Sequence, residues 1–323
     1  MKFINSSAEI IGSNHPLTHI ERIGRVCYKS NSELTLETAK KFFKVLNNNK
    51  HHSVFEHATF IFLMTDCSHH ITGLRNCNKF LNFTCSSYEE NGVSKFRTIV
   101  SGNLRAIKES NLSSLKLALV RAYPYDEFKE YLEVNEDDSD NINEWCNSNF
   151  ICISREEFFN LKPTQEEIKK HYYTTIRFIT DRGVSHEIVR HRVASYSQES
   201  TRYCNYTKDK FGGELEFITP AEFDKWDNIS KATYIKALAD AETNYFNLVN
   251  QGLTPQCARG VLPTDVRTIV VMTANHEEWE HFFNLRSRGT TGKPHPNMKV
   301  LADEALEKYN SLFNSLLNLH LIF

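Results

Sequence analysis

The sequence predicts a fold that combines strands with helices, and two kinds of pattern predict it. Residues 173–180 alternate between apolar and polar side chains, residues 266–273 form an apolar extended run, and residues 96–106 are typical of a strand that runs into a helix. Apolar residues recur at helical spacing over residues 17–27, 36–46 and 229–249. A chain of 323 residues is also long enough to bury a large core.

The helix boundaries carry local signals of their own. After residues 173–180, Asp181-Arg182-Gly183 turns the chain into a short helix that is expected to end near Arg192. Gly252 ends the predicted helix over residues 229–249, and Thr254-Pro255 has the order typical of a helix start. Asn275, followed by Glu277 and Glu278, opens another helix, because asparagine caps and early acids stabilise a helix N-terminus.

Composition narrows the class of protein. The formal charge is -2 and the isoelectric point is near 6.7, which argues against a protein that coats nucleic acid. No apolar run approaches the roughly eighteen residues of a membrane span, and the first residues do not resemble a signal peptide. The eight cysteines are irregularly spaced, which favours free thiols. We therefore expect a cytoplasmic protein without membrane, metal or nucleic-acid sites.

The segment 51–57, His-His-Ser-Val-Phe-Glu-His, allows two interpretations. Ser53 and Glu56 have the spacing of a capping box, so they could simply begin a helix. The three histidines lack the spacing of a zinc site. A functional interpretation depends on the resemblance described below.

Residues 66–170 separate this segment from the motifs that follow. They interrupt one scaffold of strands and helices without a clear linker, so we predict a single domain over residues 1–323 in which they elaborate the surface. The acidic and asparagine-rich stretch at residues 135–149 is expected to be an exposed loop.

The most informative stretch is residues 190–203, which contains three arginines, one histidine, three serines and two tyrosines. Arginine offers a rigid fork of donors for phosphate or carboxylate. Serine hydroxyls and loop amides add donors, and tyrosine rings stack on flat rings. The stretch therefore suits a nucleotide. Arg259, in the apolar run of residues 258–263, is a second candidate for binding an anion, unless its head reaches solvent.

The stretch resembles the signature of the flavin-dependent thymidylate synthases, which is Arg-His-Arg, seven residues, and then Ser. Arg190, His191, Arg192 and Ser200 meet it here, and Arg202-Tyr203 follows. The resemblance extends over residues 51–57, 258–263 and 275–286, in the order found in that family. It implies an α+β fold with a twisted sheet flanked by helices. It also implies homotetramers whose active sites form between subunits.

The implied activity is the reductive methylation of dUMP to dTMP. Methylenetetrahydrofolate would supply the carbon, NADPH the reducing equivalents, and FAD would carry the hydride. The sequence contains no Gly-x-Gly-x-x-Gly, so FAD is not expected on a Rossmann unit.

The resemblance also implies roles for individual residues, with Arg286 activating the pyrimidine ring. The residues implied to contact FAD are Ser53, Glu56, Arg190, His191, Arg192, Asn275 and His281. The residues implied to contact dUMP are Glu187, Arg190, Gln198, Glu199, Ser200, Arg202, Arg259 and Arg286. The chain departs from compact family members at Glu187, where they often have Gln, and at Gln198, where they often have Glu.

Three other classes of protein also fit parts of the sequence. Cys204, beside the signature, could be the nucleophile of a conventional thymidylate synthase. The arginines and tyrosines could belong to a nucleic-acid-binding module. A flavoprotein that reduces another substrate is the third alternative.

Overall fold

A computed structural model of the chain describes residues 1–12, 15–28, 33–65, 78–134, 150–208 and 213–320. The strands are β1 Lys2–Ile4, β2 Ser7–Ile10, β3 Thr59–Thr65, β4 Asn82–Glu90, β5 Val93–Asn103, β6 Ile151–Ile153, β7 Tyr173–Asp181, β8 Ser195–Gln198, β9 Glu216–Ile218 and β10 Arg267–Asn275. The α-helices are α1 Pro16–Tyr28, α2 Leu36–Asn48, α3 Leu104–Glu109, α4 Ser113–Ala122, α5 Asp126–Leu132, α6 Arg155–Asn160, α7 Gln165–His171, α8 Arg182–Ile188, α9 Asn228–Asn250, α10 Pro255–Ala258, α11 His276–Arg286 and α12 Pro296–His320. Short 3₁₀ helices span His52–His57, Phe223–Lys225 and Arg259–Val261.

One antiparallel sheet has the strand order β2-β7-β10-β8. Strands β7 and β10 pair along their whole length, from Tyr173 opposite Asn275 to Asp181 opposite Arg267. The predicted strands at residues 173–180 and 266–273 are thus confirmed, with ends shifted by one or two residues. Strand β8, within the signature stretch, adds to the other edge of β10. The sheet therefore places the signature beside the strand that leads into α11.

A second antiparallel sheet has the order β4-β5-β3-β6, and β1 and β9 form a separate parallel pair. The predicted passage from strand to helix at residues 96–106 is confirmed as β5 followed by α3. Three of the four strands of this sheet come from residues 66–170. The mixed architecture of sheets and helices agrees with the predicted α+β class.

Residues 66–170 contribute more than surface. Leu104, Leu115 and Phe128 of this segment are buried in the same hydrophobic cluster as Phe43 and Phe55. The expectation that the segment only elaborates the surface is therefore wrong for its described parts, because its apolar side chains fill the space between the second sheet and α2. The predicted loop at residues 135–149 lies outside the described residues.

Helix α11 packs its aromatic side chains against the first sheet. Trp279, Phe282 and Phe283 are fully buried with Phe178 of β7. The Trp279 indole donates a hydrogen bond to the Thr174 carbonyl oxygen at 3.0 Å. Burial of three large aromatic side chains contributes several kcal/mol, on the order of 2 kcal/mol each. This packing fixes the direction of α11 and hence the position of Arg286 at its end.

A side chain caps the start of both α8 and α11, and the cap at Asn275 was predicted. The Asp181 carboxylate accepts from Val184 N at 2.6 Å, and Asn275 Oδ1 accepts from Glu278 N at 3.0 Å. Helix α8 ends at Ile188, earlier than the expected end near Arg192. Residues 189–193 form turns that carry the chain towards β8.

The remaining helices also match their patterns in part. The two N-terminal amphipathic helices are confirmed as α1 and α2. In α9, Leu238 and Tyr245 of the predicted apolar stripe are buried, whereas Ile235 is exposed.

No helix of the described residues is long and apolar enough to cross a membrane. Within the described residues, none of the cysteines at 27, 85, 152, 204 and 257 forms a disulfide, and the other three cysteines lie outside those residues.

Candidate active site

The turn that contains Arg190, His191 and Arg192 is anchored by Tyr196. The Tyr196 hydroxyl donates to the His191 carbonyl oxygen at 2.5 Å and lies 3.1 Å from the Ile188 carbonyl oxygen. The turn therefore buries the His191 side chain while the side chains of Arg190 and Arg192 remain exposed. The guanidinium groups of Arg190 and Arg192 lie on either side of the buried His191 imidazole. Both are therefore accessible to an anionic ligand.

Arg286, at the end of α11, contacts two residues of the signature region. Its Nη1 donates to Glu187 Oε2 at 2.5 Å, and its Nε donates to His191 Nε2 at 2.9 Å. The Arg286 and Glu187 side chains are 21% and 28% exposed, so the pair lies at the edge of the protein interior. Arg286 is thus held on two sides, while part of its guanidinium faces solvent.

His191 is neutral in this arrangement. Burial lowers the pKa of His191 to about 4, and the positive charge of Arg286 and the neighbouring His281 add to this effect. Because Nε2 accepts a hydrogen bond from Arg286, the imidazole proton is placed on Nδ1. Phe282 packs edge-on against the ring at 4.9 Å between centroids, and the exposed His281 ring lies at 5.8 Å.

A second group forms around the start of the loop after β8. Arg259 Nη1 donates to Thr201 Oγ1 at 3.1 Å, which brings α10 and the following 3₁₀ turn next to the signature. Ser200 Oγ accepts from the backbone N–H of Arg202 at 3.3 Å. The side chains of Arg202 and Arg259 are exposed, and Ser200 is partly buried. Two exposed guanidinium groups beside a serine and loop amides are suited to a phosphate.

Gln198 and Glu199 have partners inside the protein. Gln198 Nε2 donates to Ser185 Oγ at 2.9 Å and to Thr268 Oγ1 at 3.2 Å. Glu199 is almost fully buried, and its two oxygens accept from Arg267 and from the Tyr206 hydroxyl. Both carboxylate oxygens of Glu199 thus accept hydrogen bonds within the protein. Glu199 is therefore better placed to support the loop than to contact a ligand directly.

A third group lines a cavity of about 310 Å³ between the two sheets, which we call the cleft cavity. Its walls include Glu56, Asn275 and residues 193–195, which directly follow Arg192. Arg105 of α3 also lines it and donates to Glu56 Oε1 at 2.8 Å. The cleft cavity thus joins two predicted residues, Glu56 and Asn275, to the signature stretch.

Ser53 does not cap a helix. The segment His52–His57 is a 3₁₀ helix whose start has no side-chain cap, and Ser53 is exposed. Glu56 binds Arg105 instead of a backbone N–H group. The interpretation of both residues as a capping box is therefore wrong, because the N-cap position is taken by His51 and no side chain caps the helix.

His57 holds this segment to the first sheet. Its Nδ1 lies 2.7 Å from Thr273 Oγ1 and its Nε2 lies 3.0 Å from Ser197 Oγ. Thr273 in turn lies 2.7 Å from Thr175 Oγ1. Burial, with a contribution from His19, lowers the pKa of His57 to about 3. His57 is therefore neutral, and its two hydrogen bonds link the 3₁₀ helix to β8 and β10.

Nine of the predicted site residues thus fall into three groups, whereas Ser53, Arg190, Arg192, Gln198 and Glu199 belong to none of the three. The groups are Arg286 with Glu187, His191 and His281; Ser200 and Arg202 with Arg259; and Glu56 with Asn275. Ser53 does not line the described cleft cavity. The sequence analysis missed Thr201 and Arg105, which bond to Arg259 and Glu56, and His57, which holds the segment 52–57 to the first sheet. Thr201 and His57 lay within recognised motifs.

The chain is similar to proteins of one family. A model of the family described as thymidylate synthase complementing protein matches residues 9–88 and 159–313. A flavin-dependent thymidylate synthase of Pyrococcus furiosus is 32% identical over 151 residues, which are 44% of this chain and 60% of that protein. One of Sulfurisphaera tokodaii is 40% identical over 105 residues, 32% of this chain and 38% of that protein. The chain thus spans between 38% and 60% of the length of these relatives.

Solved structures give a weaker likeness. A UMP/dUMP methylase PolB from Streptomyces cacaoi bound with 5-Br UMP has a TM-score of 0.42 and 13% identity, covering 97% of this chain and 92% of that chain. The family model, by contrast, covers most of the chain and includes all the predicted site residues. The chain therefore belongs to the thymidylate synthase complementing protein family, as the Arg190, His191, Arg192 and Ser200 signature predicts.

Proposed function

We propose that the protein is a flavin-dependent thymidylate synthase that converts dUMP to dTMP. Methylenetetrahydrofolate is the carbon donor, NADPH is the reductant and FAD is the cofactor. The observation that carries the proposal is the position of Arg286, which is fixed by Glu187 and His191 beside the signature. The names of the curated relatives support the same activity.

Arg286 has the chemistry that this reaction needs at the pyrimidine ring. Methylation at uracil C5 requires an electron-rich carbon, which follows when negative charge develops over N3, O2 and O4. A guanidinium stays protonated throughout, and a fixed cation stabilises that charge as it develops. The neutral His191 cannot compete for this role, because its pKa is lowered to about 4. We assign ring activation to Arg286.

The nucleotide phosphate is assigned to the group at the loop after β8. Arg202 and Arg259 would flank the phosphate, and the Ser200 hydroxyl would donate to it. The contact between Arg259 and Thr201 supports this assignment, since it brings the two cationic segments together. Arg190 is the predicted contact that spans the phosphate and flavin groups, and Gln198 and Glu199 support the loop.

The residues around the cleft cavity fit a flavin. The volume of about 310 Å³ is within the range of ligand pockets and can take one flat ring system of the cofactor. Glu56 and Asn275 provide polar groups at its wall, and Arg190 and Arg192 are exposed beside the chain segment that enters it. Bound FAD would supply hydride chemistry that side chains cannot perform. We propose that Ser53, His191 and His281 complete the flavin site.

A conventional thymidylate synthase is disfavoured by the position of Cys204. Its side chain is fully buried, so the thiol has no access to a substrate. A flavoprotein with another substrate is disfavoured by the group of Ser200, Arg202 and Arg259, which is suited to a phosphate. We also propose that the protein forms a homotetramer with active sites shared between subunits, and that it is located in the cytoplasm.

The visible absorption spectrum of the purified protein tests the proposal. A flavin band should be present, and adding dUMP should perturb it, which would demonstrate two ligands in one experiment. Deoxyuridine, which lacks the phosphate, should perturb the band only at much higher concentration. A protein that binds flavin but gives no response to dUMP would favour a flavoprotein with another substrate.

A further inference from the structure

We propose that two adjoining cavities around Arg155 form a binding site for a carboxylate attached to an apolar body. The larger cavity measures about 300 Å³ and the smaller about 110 Å³. Arg155, Ile11 and Thr175 line both. Neither cavity contains a residue of the signature or Arg286 among its lining residues.

Arg155 is oriented by the backbone and by an aromatic ring. Its Nη2 donates to the Tyr173 carbonyl oxygen at 3.0 Å, and its guanidinium carbon lies 5.2 Å from the centre of the Tyr172 ring. These contacts leave most donors of the guanidinium available. Within the described part of the chain, no carboxylate is paired with Arg155. An oriented arginine without an acidic partner is a suitable anchor for an anion.

The charges around the cavities favour an anion as well. None of the residues that line either cavity within the described ranges is acidic. Burial lowers the pKa of His19, on the wall of the smaller cavity, to about 4, and the positive charges of Arg22 and Arg155 lower it further. His19 is therefore neutral at pH 7, and the positive potential comes from the two arginines.

The shape of the site defines the rest of the ligand. The smaller cavity has polar groups in its wall, including His19, Thr59 and Thr175. The larger cavity has the apolar side chains of Ile10, Ile11 and Leu312. One accessible guanidinium matches a single carboxylate, and the apolar wall matches an aromatic or aliphatic body of modest size.

Such a ligand has two possible sources. The folate of the proposed reaction carries an aminobenzoyl group joined to glutamate, which combines a flat apolar ring with carboxylates. Tyr173 lines both the smaller cavity and the cleft cavity, so one extended molecule could reach both. The other source is an independent small organic acid. The carboxylate site itself does not depend on the proposed function, because its test needs neither flavin nor turnover.

The test is calorimetric titration of the full chain with benzoate, glutarate, p-aminobenzoylglutamate and the neutral benzamide. The carboxylates should bind and benzamide should not. Arg155→Gln should raise their dissociation constants about tenfold or more, as expected for a lost charge-assisted hydrogen bond. Arg155→Lys should restore part of the affinity. The matched control is Arg177→Gln, which removes an arginine of strand β7 that is already paired with Glu9 at 2.8 Å.

The outcomes are separable. Much tighter binding of p-aminobenzoylglutamate than of benzoate or glutarate would identify the folate tail as the ligand, and equal affinities would identify a separate acid. Equal binding of benzamide and benzoate, or unchanged affinities in Arg155→Gln, would overturn the proposal. Circular dichroism would verify that each variant is folded.

Discussion

The guanidinium of Arg286 is 2.5 Å from the carboxylate of Glu187, although the two residues are 99 positions apart in the chain. The contact joins the end of α11 to the end of α8, and both helices start at capped ends of paired strands. Compact family members often have Gln at the position of Glu187. In this chain the arginine proposed to activate the pyrimidine is therefore held by an ion pair.

Replacing Arg286 tests its proposed role in catalysis. Arg286→Ala should lower dTMP formation by roughly two to three orders of magnitude, the typical loss when one well-aimed donor is removed from a developing charge. Reduction of FAD by NADPH should persist. Arg286→Lys should recover only part of the rate, because an ammonium cannot keep both the Glu187 and the His191 contacts.

The matched control is Arg288→Ala, which removes a neighbouring exposed arginine paired with Glu280 at 3.1 Å. It should leave the rate of dTMP formation nearly unchanged. If Arg286→Ala formed dTMP at a rate close to that of the natural chain, Arg286 would have no part in the mechanism.

Arg202 and Arg259 should determine the affinity for the phosphate. Replacing either with Ala should weaken dUMP binding by about 2 kcal/mol, the typical contribution of a charge-assisted hydrogen bond. Deoxyuridine affinity should hardly change, since it has no phosphate. Titration calorimetry with both ligands, and with Lys225→Ala as a control for loss of an exposed charge, measures the difference. An equal loss for nucleoside and nucleotide would remove both arginines from the phosphate site.

Buried histidines should make the protein less stable in mild acid. The folded-state pKa of His57 is lowered to about 3, mainly by burial, and that of His171 is lowered to about 3 for the same reason. The unfolded chain therefore binds more protons between about pH 6.5 and pH 3, so stability present above pH 6.5 is lost as pH falls. Each such histidine should cost about 1 kcal/mol between pH 6.5 and pH 5.5.

Urea unfolding at these two pH values measures this loss. His57→Gln should reduce the dependence on pH by about the contribution of one histidine, because glutamine does not titrate. An unfolding free energy that is constant from pH 6.5 to pH 5.5 in the natural chain would contradict the assignment of neutral buried histidines.

The buried ion pair between Arg97 and Glu167 should stabilise the part of the fold that is built from residues 66–170. Arg97 Nη2 donates to Glu167 Oε2 at 2.7 Å, and the two side chains are 7% and 1% exposed. Arg97→Met would leave the Glu167 carboxylate buried without a cation. The free energy of unfolding should fall by roughly 3–5 kcal/mol.

The exposed pair of Lys236 and Asp240 on α9 provides the comparison for this prediction. Lys236→Met should change the free energy of unfolding by less than about 1 kcal/mol, as is usual for surface pairs. Urea unfolding measures both free energies. Equal losses for Arg97→Met and Lys236→Met would show that the buried pair contributes no more to stability than the exposed pair.

Local patterns predicted much of the fold, because strand alternation and caps depend on neighbouring residues. Strands β7 and β10, the helix start after Asp181, the cap Asn275 and the strand before α3 followed from such patterns. The environment of residues 66–170 did not, since a stretch of sequence does not show which apolar side chains it meets. Its burial with Phe43 and Phe55 depends on packing with α2 and the segment 52–57.

For the site, the signature predicted the residue types but not their partners. Arg105 and Glu56 are 49 residues apart, and His57 and Thr273 are 216 apart. Such pairs form only when separate elements pack together, and a single sequence has no local signal for them. The spacing of Ser53 and Glu56 fits a helix start as well as a ligand site. The sequence therefore left the capping interpretation open.

The most direct test of the central claim is dTMP formation by the purified protein. A mixture of dUMP, methylenetetrahydrofolate, NADPH and FAD should yield dTMP, and omission of any one component from protein stripped of flavin should abolish it. Labelled methylene carbon should appear in the product methyl group. Formation of dTMP that proceeds without flavin and NADPH, or no dTMP from the complete mixture with flavin bound, would contradict the proposed function.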